Sequence, residues 1–120
     1  PLVAPAAPPP GMDLISAAVL TPTNTLEGCA QVQLEYDTPD GVEFLVVFIL
    51  PRACAEAFDP TPYDETFAGR PSRFVTTREV LIDATVVQLD GSVPDDVLEA
   101  VAASLAPTTA DALIAAVVPR

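Results

Sequence analysis

Cys29 and Cys54 are the only cysteines in the chain, and two chemistries are open to them. A redox pair normally sits two residues apart at a helix start, where the thiol pKa is depressed. These two are twenty-five residues apart, so they read as a structural staple. They bracket a strand (30–36), a turn (37–41) and a second strand (42–50), which is the pattern of a hairpin. A disulfide closing a loop of that length stabilises a fold by roughly 3 kcal/mol on the chain-entropy view. Such a bond implies an oxidising, extracytoplasmic location. If Tyr36 pairs with Val42 across the turn, Cys29 faces Ile49. The chain must then double back after Pro51 for the sulfurs to meet.

A second group of residues could recognise a ligand. Phe58, Tyr63 and Phe67 recur across ten residues and are followed by Arg70 and Arg73. Together they could form an apolar lip for a partner protein, a peptide or a small apolar ligand, with the arginines fixing an acidic group. The competing reading is that the rings fold back and cover the sheet. Asp59, Asp64 and Glu65 offer oxygen ligands, but without the spacing of an EF-hand loop they read as a solvated acidic loop.

Most catalytic designs lack their residues here. The chain has no histidine and no lysine, and its five glycines are scattered. Ser-His-Asp and Cys-His machinery, Schiff bases and phosphate loops therefore have no carriers. Carboxylate pairs are inevitable among seventeen acidic residues and carry no signal. The expectation is a protein that is not an enzyme and needs no cofactor and no metal.

Seventeen acids against five arginines give a net charge of −12. That charge repels nucleic acid and anionic membrane surfaces. Half of the residues are apolar and 18% are charged, a globular composition. The length suits one domain. No apolar stretch approaches the roughly 20 residues needed for a transmembrane helix. Residues 1–10 are rich in Pro and Ala and read as a semi-rigid linker, of the kind that follows an upstream membrane anchor. Residues 11–120 form the single domain.

Within it, 13–20 reads as a first strand and 21–25 as a turn cluster. In 30–36, Ala30, Val32, Leu34 and Tyr36 alternate with Gln31, Gln33 and Glu35, a strand with one buried and one wet face. Residues 42–50 are almost continuously apolar, which predicts a central strand covered on both faces. Residues 55–72 read as a long irregular loop with a helical turn near 54–58, and 74–77 and 80–89 return to strand character. Ser92 and Asp95 resemble a capping box opening a first C-terminal helix that Pro107 stops. Thr108 or Thr109 caps a second. Strands before helices predict an α+β fold: an antiparallel sheet of four to five strands with two C-terminal helices packed on one face.

Several of these stretches taken together resemble a known family. They are residues 14–20 after Pro9-Pro10-Gly11, the run Leu34-Glu-Tyr-Asp-Thr-Pro-Asp-Gly41, the run Val87-Gln-Leu-Asp-Gly-Ser92, and Asp96-Val-Leu-Glu-Ala-Val-Ala-Ala-Ser-Leu105. The likeness is to the small extracytoplasmic domains joined to bacterial anti-sigma factors and lipoproteins, related to the C-terminal part of MucB/RseB-like regulators of envelope stress. It implies a curved antiparallel sheet packed on a helix, and a secreted or membrane-tethered sensing or binding module. The alternative is a structural, homo-oligomer-forming envelope protein that pairs through sheet edges or through the face of 113–118.

Overall fold

The computed structural model describes residues 2–24 and 28–119. The fold is α+β, with one seven-stranded antiparallel sheet, a separate two-stranded ribbon and three α-helices among the described residues. Strand β1 is Leu2–Pro5 and β2 is Asp13–Leu20. β3 is Gln31–Asp37 and β4 is Phe44–Pro51, followed by α1 at Arg52–Phe58. Then come β5 (Glu65–Phe67), β6 (Arg70–Phe74), β7 (Arg78–Ile82) and β8 (Thr85–Gly91). The chain closes with α2 (Asp95–Ala103), β9 (Leu105–Thr108) and α3 (Ala110–Ala116).

The main sheet has the order β2-β3-β4-β8-β7-β6-β5. It is two meanders, β2-β3-β4 and β5-β6-β7-β8, joined side by side through the β4–β8 pair. After β4 the chain must therefore cross the sheet to reach its far edge. α1 and residues 59–64 make that crossing, and they make it over one face only.

The other face carries the core. Period-2 alternation sends Leu34, Tyr36, Leu45, Val47, Val80, Val87 and Leu89 to that side, all nearly inaccessible, as strand geometry requires. Leu98, Val101 and Ala102 of α2, Leu105 of β9 and Leu113 of α3 pack on them. Both C-terminal helices thus lie on one face. The additional helix α1 lies on the opposite one, over a second cluster of Leu50, Cys54, Ala55 and Val86.

Several expectations are corrected. The main sheet has seven strands where four to five were expected: 65–74 folds as the β5–β6 hairpin instead of a loop, 75–77 is a turn and not a strand, and 80–89 divides between β7 and β8 at a tight turn where Asp83 takes φ of 52°. The two-residue turn of the β5–β6 hairpin, Ala68-Gly69, has φ of 52° and 74°. Such turns need two left-handed residues, and alanine at the first concealed the signal. Residues 2–5 are a strand rather than a linker. They pair antiparallel with β9 and bury Val3 and Ala4 in the core. An extended Pro-rich backbone already lies close to strand geometry, and Pro5 sits at the end of a two-stranded ribbon that tolerates a missing N–H. Pro1 and Thr25 lie outside the described residues; Pro22–Asn24 form one 3-10 turn.

β4 is covered on both faces only at its Leu50 end, and Val42 and Phe44 at the other end are exposed. The turn before β4 is also longer than expected, so Tyr36 pairs with Leu45 and not Val42. Asp40 accepts from the Thr38 hydroxyl and the Val42 amide, and Thr38 bonds Glu43 through both backbone and side chain, which builds the wider loop. Ser92 does not cap α2. Its Oγ accepts from the Phe44 amide, while Pro94 occupies the N-cap without a side-chain bond. Asp95 and Asp96 supply the favourable negative charge in that first turn. α2 ends at Ala103, before Pro107, which lies within β9. Thr109 does cap α3, accepting from the Ala112 amide.

Candidate functional site

The face opposite the core is only partly covered. The strand registers line up one row straight across it: Ala18, Gln33, Phe48, Gln88, Glu79 and Arg73. Phe48 stands at the middle with a glutamine on each side. α1 covers the neighbouring Leu50–Val86 end of the sheet, so a depression of about 480 Å³ remains beside it. Gln31, Gln33, Phe48 and Gln88 lie along its strands, and Phe58 and Asp59 stand at the end of α1. Val75 to Thr77, the turn between β6 and β7, border it as well.

Cys29 and Cys54 form the disulfide, with Cα atoms 6.3 Å apart. It ties the segment entering β3 to α1, so it joins two walls of the depression. α1 begins directly after Pro51, which is how the chain doubles back. Within α1, Arg52 and Glu56 pair one turn apart. Pro60 then disfavours a helical Asp59, which is extended and ends the helix.

Arg73 anchors the other side. Its side chain is 1% exposed. Nε donates to Glu79 Oε1 at 2.9 Å; Nη1 donates to the carbonyls of Asp59 and Thr61, both at 2.6 Å; Nη2 donates to the Ala55 carbonyl at 3.3 Å. The guanidinium also lies over the Tyr63 ring, 4.4 Å from its centroid. One arginine thus fixes the end of α1 and the irregular crossing behind it, using the planar fork that lysine lacks. Burial raises the Glu79 carboxyl above the usual glutamate range, against the pull of Arg73 and of a hydrogen bond from Gln88. Asp59 is held below the usual aspartate range, chiefly by the Thr61 hydroxyl and amide and then by the Arg73 charge. Burial pushes the Tyr63 hydroxyl up to about 12.

Two acceptors stand out. Gln31 is 6% exposed and its Oε1 is buried with no hydrogen-bond partner among the described residues, although the residue lines the depression. The buried Tyr63 oxygen also has none. Buried polar atoms are normally satisfied, so each such atom calls for an explanation.

The five residues expected to form an apolar lip divide. Phe58 and Arg73 line the depression and Tyr63 packs behind Arg73. Phe67 packs against the main core under Arg78, and Arg70 pairs with it across the hairpin turn. Gln31, Gln33, Phe48, Glu79, Gln88 and Asp90 were not expected at a site. The signal was present in part, since Gln31 and Gln33 alternate with Val32 and Leu34. A period-2 pattern gives the face of a residue but not what gathers on it from other strands. Among the described residues no three His, Cys, Asp or Glu side chains gather to hold a metal ion, and no helix is long and apolar enough to cross a membrane. Comparison with protein families, with curated proteins and with solved structures returns no match.

Proposed function

We propose that this domain is a non-enzymatic binding or sensing module of an oxidising, extracytoplasmic compartment, and that its ligand sits on the outer face of the sheet. One observation carries the reading. A half-buried phenylalanine and a buried, unpartnered Gln31 oxygen lie in a depression of ligand-sized volume, bordered by a helix that a disulfide and a buried arginine hold in place. Ligand sites are concave, largely apolar and supplied with a few fixed polar groups, at volumes of roughly 300–1,000 Å³. Amide NMR spectra recorded during a chemically diverse fragment screen test it. Saturable shifts are expected at Gln31, Gln33, Phe48 and Gln88; a screen whose hits all fall elsewhere refutes it. Alkylation of freshly isolated native protein tests the compartment, and two reactive thiols would overturn that part.

The resemblance to MucB/RseB-like regulators extends the proposal to envelope stress sensing. Copurification with a membrane-bound anti-sigma factor tests that extension, and a sensor that never associates with one rejects it. A second reading, a self-associating envelope protein, is favoured by Val19 and Ile114, which are exposed near the β2 edge beside the half-buried Ala17 and the buried Leu113. A strict monomer by light scattering at high concentration eliminates it.

A further inference from the structure

We propose that the outer-face depression takes an organic cation: an ammonium or guanidinium group carried on an apolar stem. This rests on reading that face as the binding site, and it names what the site selects.

The charges on the lining do not cancel. Arg73, Glu79, Asp59 and Asp90 are its ionisable residues. Among the described residues Arg73 is their only cation, and it is already committed, to Glu79, to three backbone carbonyls and to the Asp59 carboxylate. An anionic ligand would have to displace that buried network. Arg73 is shared between Glu79 at 2.9 Å and the Asp59 carboxylate at 3.9 Å, so among the described residues three lining carboxylates, Asp59, Glu79 and Asp90, face a single guanidinium and the lining keeps a net negative charge. Asp59 is fixed by two hydrogen bonds from Thr61, at 2.6 and 2.9 Å, so its carboxylate is held in place beside the depression.

The neutral groups point the same way. The buried Gln31 oxygen is an acceptor lacking a donor, and an N–H of the ligand would supply one. Phe48 and Phe58 both line the depression, and Phe58 is 57% exposed at the end of α1. Phenyl faces attract cations and bury alkyl stems, and they have no polar edge with which to read a neutral hydroxyl. At long range, the net charge of −12 concentrates cations near the surface. An apolar stem with a cationic head satisfies the rings, the carboxylates and the orphan oxygen together.

The test uses the oxidised chain and four probes of equal length: hexylammonium, hexylguanidinium, hexanol and hexanoate. Amide NMR titration locates binding and gives affinity. The two cations are expected to shift Gln31, Phe48 and Gln88 saturably, with hexanol about tenfold weaker, the worth of one partly desolvated charge contact. Cation affinity is expected to fall as salt rises. Asp59→Asn combined with Asp90→Asn should weaken both cations severalfold and leave hexanol unchanged. A short Leu-Lys-Leu peptide, compared with the free amine, tells a basic side chain from a small amine as the source of that group. If hexanol or hexanoate matches the cations at these residues, the face binds ligand and the charge selection is refuted. If none of the four probes moves these amides, the cation proposal fails while the fragment screen still judges the face. Salt-independent cation binding refutes the proposal even where the double variant is too unstable to measure.

Discussion

Replacing Arg73 with Met keeps most of the stem and removes the guanidinium. Glu79 is 4% exposed, so the substitution strands a buried carboxylate whose principal partner has gone. Breaking a buried pair in this way costs about 3–5 kcal/mol. The lost contact with the Tyr63 ring adds about 0.5–1 kcal/mol. Asp59 is half-buried and Thr61 exposed, so water is expected to replace the arginine at their carbonyls, and the Ala55 carbonyl still accepts from the Asp59 amide. They add little. The total, about 3.5–6 kcal/mol, would consume much of the 5–15 kcal/mol typical of a domain. Urea unfolding followed by circular dichroism measures it. Glu79→Gln is the contrasting perturbation. Burial outweighs Arg73 in setting the Glu79 proton affinity, so the charged form is disfavoured relative to the unfolded chain. Its contribution is full below the ordinary glutamate pKa and is lost as pH rises through the raised folded value. At neutral pH, Glu79→Gln should therefore cost no more than about 1 kcal/mol, since the amide oxygen still accepts from Nε. Adding Glu79→Leu to Arg73→Met should recover most of the loss. An Arg73→Met variant within about 1 kcal/mol of the parent would refute the account of Arg73 as the clamp of the crossing segment.

Replacing both cysteines by serine should cost about 3 kcal/mol, given a sequence separation of 25, and should broaden the amide signals around Gln31 and Ala55 more than those of the core strands. An unchanged urea midpoint would contradict this. Gly91→Ala should destabilise by about 1–3 kcal/mol, because the added Cβ would stand 2.4 Å from the Phe44 carbonyl oxygen and 2.9 Å from the Leu45 Cα. A melting temperature equal to the parent's would show that the β4–β8 pair can move apart. Tyr36 and Tyr63 are the only tyrosines, and burial pushes both hydroxyls up to about 12 from 10.0. Phenolate absorbance should stay low through pH 10 in the native protein. Stability should be full below the ordinary tyrosine pKa and decline as pH rises through the folded values; a normal titration of either ring while the fold persists would contradict its burial.

What could be read from sequence was whatever depends on neighbours in the chain. The alternation from Gln31 to Tyr36 gives the faces of β3, and Thr108 or Thr109 ahead of Asp111 gives the start of α3 to within a residue, because both signals are local. Residues 2–5 were illegible because proline-rich chain is extended whether it spans a gap or pairs, and only β9 decides between the two. The site was illegible for a different reason. Arg73 and Glu79 belong to adjacent strands, and they meet because Ser72 pairs with Val80. Nothing within either strand announces that register. The Cys29–Cys54 bond was inferred from the strand-turn-strand pattern, yet the three-residue difference at the turn, Leu45 opposite Tyr36, is what brings the start of α1 near Cys29.

The depression is a consequence of connectivity. Two meanders that meet at β4 and β8 oblige one segment to cross a face of the sheet. α1 is seven residues long, about 10 Å by helical rise, and the crossing from β4 to β5 spans four strand spacings of about 4.8 Å each. A helix of that length covers Leu50 and Val86 and leaves Gln33, Phe48 and Gln88 only half-covered. The extended residues that follow would by themselves be loose, with little apolar surface to hold them. Cys29–Cys54 at the beginning of the crossing and Arg73 at its end are the two attachments that keep it against the sheet. The same two attachments fix the positions of Gln31, Phe58 and Asp59 around the opening. A ligand bound there would therefore stabilise the oxidised, clamped crossing. Ligand affinity should fall when the disulfide is reduced even though neither sulfur touches the ligand, and an affinity indifferent to reductant would show that the sheet alone shapes the site.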